Sequence, residues 1–488
     1  MQSLVIGSNE GESWWQPQPS GGYVTTYITP EQNPYHDFSS GVQVLPPGGQ
    51  VREHGHTVGH ELIYITQGTG VITINNKPHD VQAGSTVLFA HNDIHIIDNT
   101  GDIDLHMFWV FMPPKLEEWF RAIGKPRKAG DPEPEPFPRP PNTDEAMAFQ
   151  KFVKPKANMK IITEAMVEEH LTMPDCIKAI RSAMISVSLG DTTLPIRQYM
   201  PIPDTQGKMA LMPGTIADPA CYGIKLVGKY VREPDSPYGT HVGMVLVFDS
   251  KTGLPLAMIE GASLTAIRTA AVSALATELM SNPDCNTLTI LGCGEQAKRH
   301  IHAMLAVRKP KVIQVWGRDY QKASNFADQI STEIKQKISP VNKAEDAVRN
   351  ADLICTTTSS KNPILKGAWL KPGTHINLVG AAVASSTEVD QDVVTRSRYV
   401  TDYRPAAMAA AGELLNAIHS GAVTESHILA EIGEIADGTA VGRTSPNDIT
   451  IYKSLGVSAQ DLAAGHWLYE KANKLGFGID VNMMDFNR

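Results

Sequence analysis

Between Thr287 and Ala297 the chain reads Thr-Leu-Thr-Ile-Leu-Gly-Cys-Gly-Glu-Gln-Ala. A buried-type strand runs into a Gly-x-Gly-x-x-Ala turn, and an amphipathic helix is predicted directly after it, over Gln296–Leu305. That order presents backbone N–H groups at a helix N-terminus, where a pyrophosphate can bind. Gly292 permits the tight turn, Gly294 lets phosphates approach the backbone, and Ala297 allows the helix to pack closely. Glu295 and Gln296 lie on the same turn and count with it as cofactor-binding positions. Strands predicted at Leu288–Leu291, Val312–Trp316, Leu353–Thr356 and His375–Val379 alternate with helices over Gln296–Leu305 and Tyr320–Lys335. Such alternation indicates a parallel, doubly wound α/β sheet, a Rossmann nucleotide-binding domain placed at 286–454.

The second strand of that sheet ends in Trp316-Gly317-Arg318-Asp319, where the ribose-reading side chain belongs. A glycine stands where an NAD enzyme usually carries a carboxylate. Arg318 suits a 2′-phosphate and favours NADP, while Asp319 keeps NAD open.

Upstream lie three cations, Arg197, Lys225 and Arg268, of the kind a small carboxylate substrate requires. An arginine fork fixes a carboxylate, and a lysine adds a point charge that can also sit near the reacting carbon. Lys225 falls in a predicted strand, Tyr222–Tyr230, followed by another at Gly243–Asp249. Arg268 falls in an Ala- and Leu-rich helix reaching Met280, with Thr265 as its expected N-cap. Helical periodicity is expected from about Met147 and is clear over Cys176–Ile185, with Pro174 in the first turn.

Residues 1–112 read as all-β, with alternating runs at Glu61–Thr66 and Gly70–Asn75 separated by Gly and Asn-Asn turns. From Pro113 to about residue 146 the proline-rich texture predicts an extended linker, because proline cannot supply ladder N–H groups. The remaining segment, 147–285, is expected to form a substrate and dimerisation domain completed by about 455–488. The fold class is therefore multidomain: an all-β barrel, then a Rossmann domain with a mixed α/β partner.

With 488 residues, 42% of them hydrophobic and 19% charged, the composition is globular and too large for one ordinary core. A net charge of −9 without a basic stripe argues against nucleic acid. Five scattered cysteines without a C-x-x-C fit free thiols in a reducing compartment. No signal-type start and no membrane-length apolar run is seen, so the expectation is a cytoplasmic protein without a membrane partner.

Several ordered stretches give residues 155–488 a resemblance to the ornithine cyclodeaminase/mu-crystallin family. They are Tyr222–Val227, Leu264–Ala271, the glycine turn, Ala351–Thr357, Leu370–Asn377 and Ile451–Gly456. The resemblance implies a homodimer or higher homo-oligomer, NAD(P), and a cleft for an amino- or imino-acid carboxylate. It assigns Lys225 and Arg268, with Arg197, to the substrate carboxylate, the first two also as catalytic residues. Cyclodeaminases carry an aspartate for the amine proton where this chain has Ala382, and an alanine cannot transfer a proton. Members lacking it are linked to the reduction of cyclic ketimines. His241 is a candidate substitute, and an ordinary strand histidine is the simpler reading.

At the other end, Gly48, His54-Gly-His56, Glu61 and Gly68 match the first cupin motif. Gly84, His91, His95 and Asn99 fit the second, with Ala90 and Asn92 where proline and glycine are usual. This resemblance implies a small barrel in which His54, His56, Glu61 and His95 face one divalent metal. His-x-His puts both imidazoles on one strand face, and three imidazoles with a carboxylate suit Fe, Mn, Ni, Cu or Zn. His60 and His91 read as neighbours rather than ligands.

The expected activity is hydride transfer between nicotinamide and the carbon of an imine or amino acid, with the barrel processing the linked intermediate. A redox-neutral cyclodeaminase (a lyase releasing ammonia) is the alternative enzyme. A regulatory protein that holds nucleotide and small ligand without turnover is the alternative from another class.

Overall fold

Apolar alternation along the first hundred residues builds two facing sheets. The computed structural model describes residues 4–7, 10–31, 37–56, 59–91, 93–140, 157–232, 236, 239 and 241–484. It divides the chain into two units, Met1–Lys156 with Asp485–Arg488, and Ala157–Met484.

Among the described residues, the first unit is a sheet of seven strands facing one of four. Ile63, Ile65, Ile72, Ile97, Met107, Trp109 and Phe111 fill the space between them. The expected runs are strands His60–Gln67 and Thr69–Ile74. The barrel does not stop at residue 112, so the expectation of a linker from Pro113 is corrected. Leu116–Ile123 is a helix, and Leu116, Trp119, Phe120 and Ile123 bury its apolar face in the barrel core. Their i, i+3, i+4, i+7 spacing outweighs the proline texture, whose run starts only at Pro132. Strand Lys125–Arg127 then pairs antiparallel with Glu12–Trp15. Further along, the Gln18 backbone N–H donates to the Phe137 carbonyl at 2.9 Å. The helical start near Met147 lies outside the described residues.

The second unit opens on strand Ala157–Ile162. It pairs with Pro255–Glu260 on one side and with the C-terminal strand Ile479–Met484 on the other. The mixed sheet continues through His241–Asp249 and Cys221–Lys229 to Lys208–Ile216. Helices Met173–Leu189, Gly261–Met280 and Ser458–Leu475 cover it with a largely aliphatic core. The Arg268 helix starts at Gly261, not near Thr265. Glu260 is its N-cap, its carboxylate accepting from the Ala262 and Ser263 N–H groups at 2.6 and 2.9 Å. A carboxylate at that position satisfies the free N–H groups as well as a hydroxyl would.

The other sheet of this unit is parallel throughout its described pairs. Its order runs Ile338–Pro340, Val312–Trp316, Thr287–Leu291, Leu353–Thr356, His375–Leu378, Ile449–Lys453, Ser397–Thr401, Ile428–Glu431. Strand order reverses beside Thr287–Leu291, and the crevice at such a reversal is where open α/β sheets bind ligands. Among the described residues, no helix is long and apolar enough to cross a membrane.

Candidate active site and metal centre

Gly292 leaves the first strand at φ +132°, and a β-carbon there would meet Thr357 Oγ1 at 2.5 Å. Gly294 is the N-cap of helix Glu295–Val307, with no side chain capping it and nothing within 4 Å of where its β-carbon would stand. The first N–H groups of that helix therefore face an open cradle, which fits a dinucleotide pyrophosphate. Ala297 is fully buried, as a close helix–strand approach demands. The buried Gln296 Oε1 has no hydrogen-bond partner. The Glu295 carboxylate is turned away to Arg299 at 2.6 Å, so this residue has its backbone to offer the cradle.

A cavity of about 560 Å³ opens beside the turn. Glu295, Gln296, Thr357 and Thr358 line one side, and Arg197, Lys225 and Arg268 another. The three cations that the sequence singled out thus meet in one place. Lys225 and Arg268 are almost wholly buried, and both contact a carboxylate that sequence reading missed. Asp461 Oδ1 accepts from Lys225 Nζ at 3.0 Å and Arg268 Nε at 2.9 Å. Its other oxygen, Oδ2, is buried without a hydrogen-bond partner. Arg268 also donates to Gln460 Oε1 at 2.5 Å. Burial pushes the Lys225 ammonium down to about 7, helped by the charges of Arg268 and Arg197 and opposed by Asp461.

Arg197 is held differently, through the carbonyls of Leu455 and Gly456 at 2.9 and 3.1 Å. Those same residues donate their N–H groups to the buried Asp402 carboxylate at 2.8 and 2.7 Å. Asp402 therefore positions the loop that positions Arg197. Buried Glu388 does similar work across the cavity, accepting from Thr358 N–H and hydroxyl and from the N–H groups of Gly380 and Ala381. Ala382 and His241 both line the cavity. Burial first, then the charges of Lys229, Lys225 and Arg197, lowers the His241 pKa to about 4. Its imidazole is neutral at pH 7 and makes a poor proton donor. Arg318 is exposed past the end of Val312–Trp316 and outside the cavity lining.

In the first unit, His54, His56, Glu61 and His95 bring their ligand atoms within 4.8 Å of one another. His54 and His95 stand opposite each other on strands Gln50–His54 and His95–Asp98. Glu61 comes from the facing sheet, 3.1 Å from His56 Nε2 and 3.5 Å from His95 Nε2. Nδ1 of His54 and of His95 lies near a backbone carbonyl, of Arg52 at 2.8 Å and Asp93 at 3.2 Å. Those tethers fix both rings and leave Nε2 as the ligand atom. Burial and the neighbouring imidazoles lower the His54 pKa to about 3, so it is a neutral donor. Phe89 stacks on His95 at 3.7 Å and holds its plane. His60 and His91 stack on each other at 4.1 Å and lie outside the cluster.

Residues 157–475 match the ornithine cyclodeaminase/mu-crystallin family, and residues 41–111 match the cupin domain. The chain belongs to the ornithine cyclodeaminase/mu-crystallin family. It is an NAD(P)-dependent oxidoreductase with an N-terminal cupin. Δ1-pyrroline-2-carboxylate reductase of Bacillus cereus is 31% identical over 321 residues, covering 66% of this chain and 98% of that protein. Ketimine reductase mu-crystallin of Mus musculus is 32% identical over 308 residues, covering 62% and 94%. The Thermococcus litoralis Δ1-pyrroline-2-carboxylate reductase, solved with NADH and L-proline, superposes with a TM-score of 0.63 at 29% identity. That superposition covers 66% of this chain and all of the other.

Asp461 and Gln460 escaped the sequence reading for a physical reason. An acidic residue in the first turn of a helix is commonplace, because it complements the helix dipole. Nothing local distinguishes Asp461 from such a residue. The one available signal was its setting, an aspartate between Gln460 and an unbroken Leu-Ala-Ala run that belongs on a buried face.

Proposed function

We propose that the second unit reduces a cyclic ketimine carboxylate, such as Δ1-pyrroline-2-carboxylate, to the corresponding L-amino acid. The observation that carries this reading is one cavity shared by the glycine cradle and the Arg197–Lys225–Arg268 set, with Ala382 in its wall. The coenzyme supplies hydride to the C=N carbon, and the nitrogen takes up a proton. Arg268 and Arg197 hold the carboxylate and fix which face of the ring is presented. Lys225 adds charge to that grip, and its Nζ, lowered toward neutrality, can pass a proton to the imine nitrogen. Asp461 keeps both cations aimed into the cavity. With alanine at 382, the cavity wall lacks the carboxylate that handles the amine proton in cyclodeaminases.

NADP is the favoured coenzyme. Gly317 provides no carboxylate for a ribose 2′-hydroxyl, and the Asp319 side chain is spent capping helix Tyr320–Ile334 through Lys322 N–H at 3.1 Å. That leaves Arg318 for a 2′-phosphate. Purified chain given Δ1-pyrroline-2-carboxylate should oxidise NADPH with a lower KM than NADH. Arg318→Ala should raise the NADPH KM about 10- to 100-fold, the worth of a charge-assisted contact, and leave that for NADH nearly unchanged. Ammonia release from ornithine without net NADPH oxidation would instead select the cyclodeaminase.

In the cupin, His54, His56, Glu61 and His95 would hold one divalent first-row metal. The chemistry such an ion supplies is polarisation of an oxygen ligand. Elemental analysis of the purified chain should find about one equivalent, and His56→Ala should lose most of it. A metal content unchanged in that variant would place the ion elsewhere.

A further inference from the structure

The cupin cluster opens into a pocket of about 220 Å³, walled by His54 and Glu61 on one side. The segment whose texture predicted a linker also lines it: Leu116, Trp119, Phe120 and Ile123 of the helix, and Arg139 beyond it. Arg139 lies over the Trp119 ring at 4.7 Å. Arg52, from the strand that carries His54, lines the same space.

Two guanidiniums thus share one small pocket. Arg139 is partly desolvated although it still reaches solvent, which lowers its pKa, and the Arg52 charge lowers it further. Glu53 also lines the pocket, yet among the described residues neither arginine stands within ion-pair distance of a carboxylate, and Arg52 Nη2 donates a long hydrogen bond to the Gln18 carbonyl at 3.4 Å. Like charges gathered beside an apolar wall cost free energy unless an anion is bound between them, and a planar guanidinium fork matches a carboxylate. The aromatic and aliphatic wall suits a short carbon skeleton rather than a bare inorganic anion.

We propose that this pocket binds a small organic carboxylate of the 2-oxo-acid class, gripped by Arg52 and Arg139 beside the histidine–glutamate cluster. The Leu116–Arg139 segment is then part of a binding site, not a spacer. Because His54 and Glu61 face the same space, the bound acid lies against the metal-type ligands. A 2-oxo acid is also the open-chain chemistry from which a ketimine is made by condensation with an amine, which gives the two units related substrates.

Isothermal titration of pyruvate into the full chain tests this. A class of sites should appear whose Kd rises about 10- to 100-fold in Arg139→Gln and in Arg52→Gln. Arg139→Lys, which keeps the charge and loses the fork, should recover part of that affinity. Neither arginine lines the cavity of the second unit, so pyruvate bound there gives the same titration in every variant. Identical titrations would overturn the proposal. Inorganic phosphate binding as tightly as pyruvate to the Arg139-dependent sites would overturn it too, since the apolar wall would then contribute nothing. Neither arginine belongs to the barrel core, so their variants should melt with the parent chain.

Discussion

Replacing Lys225 by methionine should lower kcat/KM for the ketimine carboxylate about 10³-fold, through lost charge stabilisation and lost proton delivery. The KM for NADPH should change little, because the glycine cradle is built by other elements. The pH dependence carries the sharper information. In the protein as folded, burial has brought the Lys225 ammonium down to about 7. The protonated form is the one that pairs with a carboxylate and donates a proton. Reduction should therefore be flat on the acid side and fall about tenfold per pH unit above about 7. Amino-acid oxidation, which needs the neutral amine as base, should rise through the same range. Lys225→Met should erase this limb and leave only the titration of the substrate's own imine nitrogen. A wild-type limb that persists in the variant would move the proton chemistry to another group.

The nucleotide half was readable because its signals are local. A β-branched strand, a glycine turn and a helix occupy consecutive positions, and the structure places Thr287–Leu291 and Glu295–Val307 within a residue or two of expectation. The cationic set was readable because lysine and arginine at such positions are costly to bury without purpose. What holds them was not. Asp461 is 193 residues from Arg268 and 236 from Lys225 in sequence, and only the docking of the C-terminal helix brings them together. Asp402 and Glu388 are hidden in the same way, as carboxylates whose partners are backbone N–H groups of other segments. Backbone donors leave no mark in a sequence. The helix Leu116–Ile123 is a different failure. Its apolar spacing was present, but the prolines downstream coloured the reading of the whole segment.

The largest effect on stability should come from Asp461→Asn. In the parent chain one carboxylate, wholly buried, neutralises two buried cations at 3.0 and 2.9 Å. The amide keeps the shape and removes the charge, leaving Arg268 without a counter-ion and withdrawing the one neighbour that holds the proton on Lys225. Breaking a buried pair in this way costs about 3–5 kcal/mol, which for a unit of this size lowers Tm by roughly 5–10 °C. The sign with pH follows from the carboxylate. Burial alone would raise its pKa, but Arg268 and Lys225 outweigh that and hold it below the ordinary aspartate value of 3.8. Its contribution is thus complete above the ordinary value and disappears as pH falls through the lowered one, so parent and variant should converge only in strong acid. L-proline, whose carboxylate can supply the missing charge, should raise the Tm of the variant more than that of the parent. A differential scanning calorimetry pair that differs by less than about 1 °C at pH 7 would mean the cations need no such partner. Because the cost arises from unbalanced charge, Lys225→Met combined with Asp461→Asn should destabilise less than the two single changes added together.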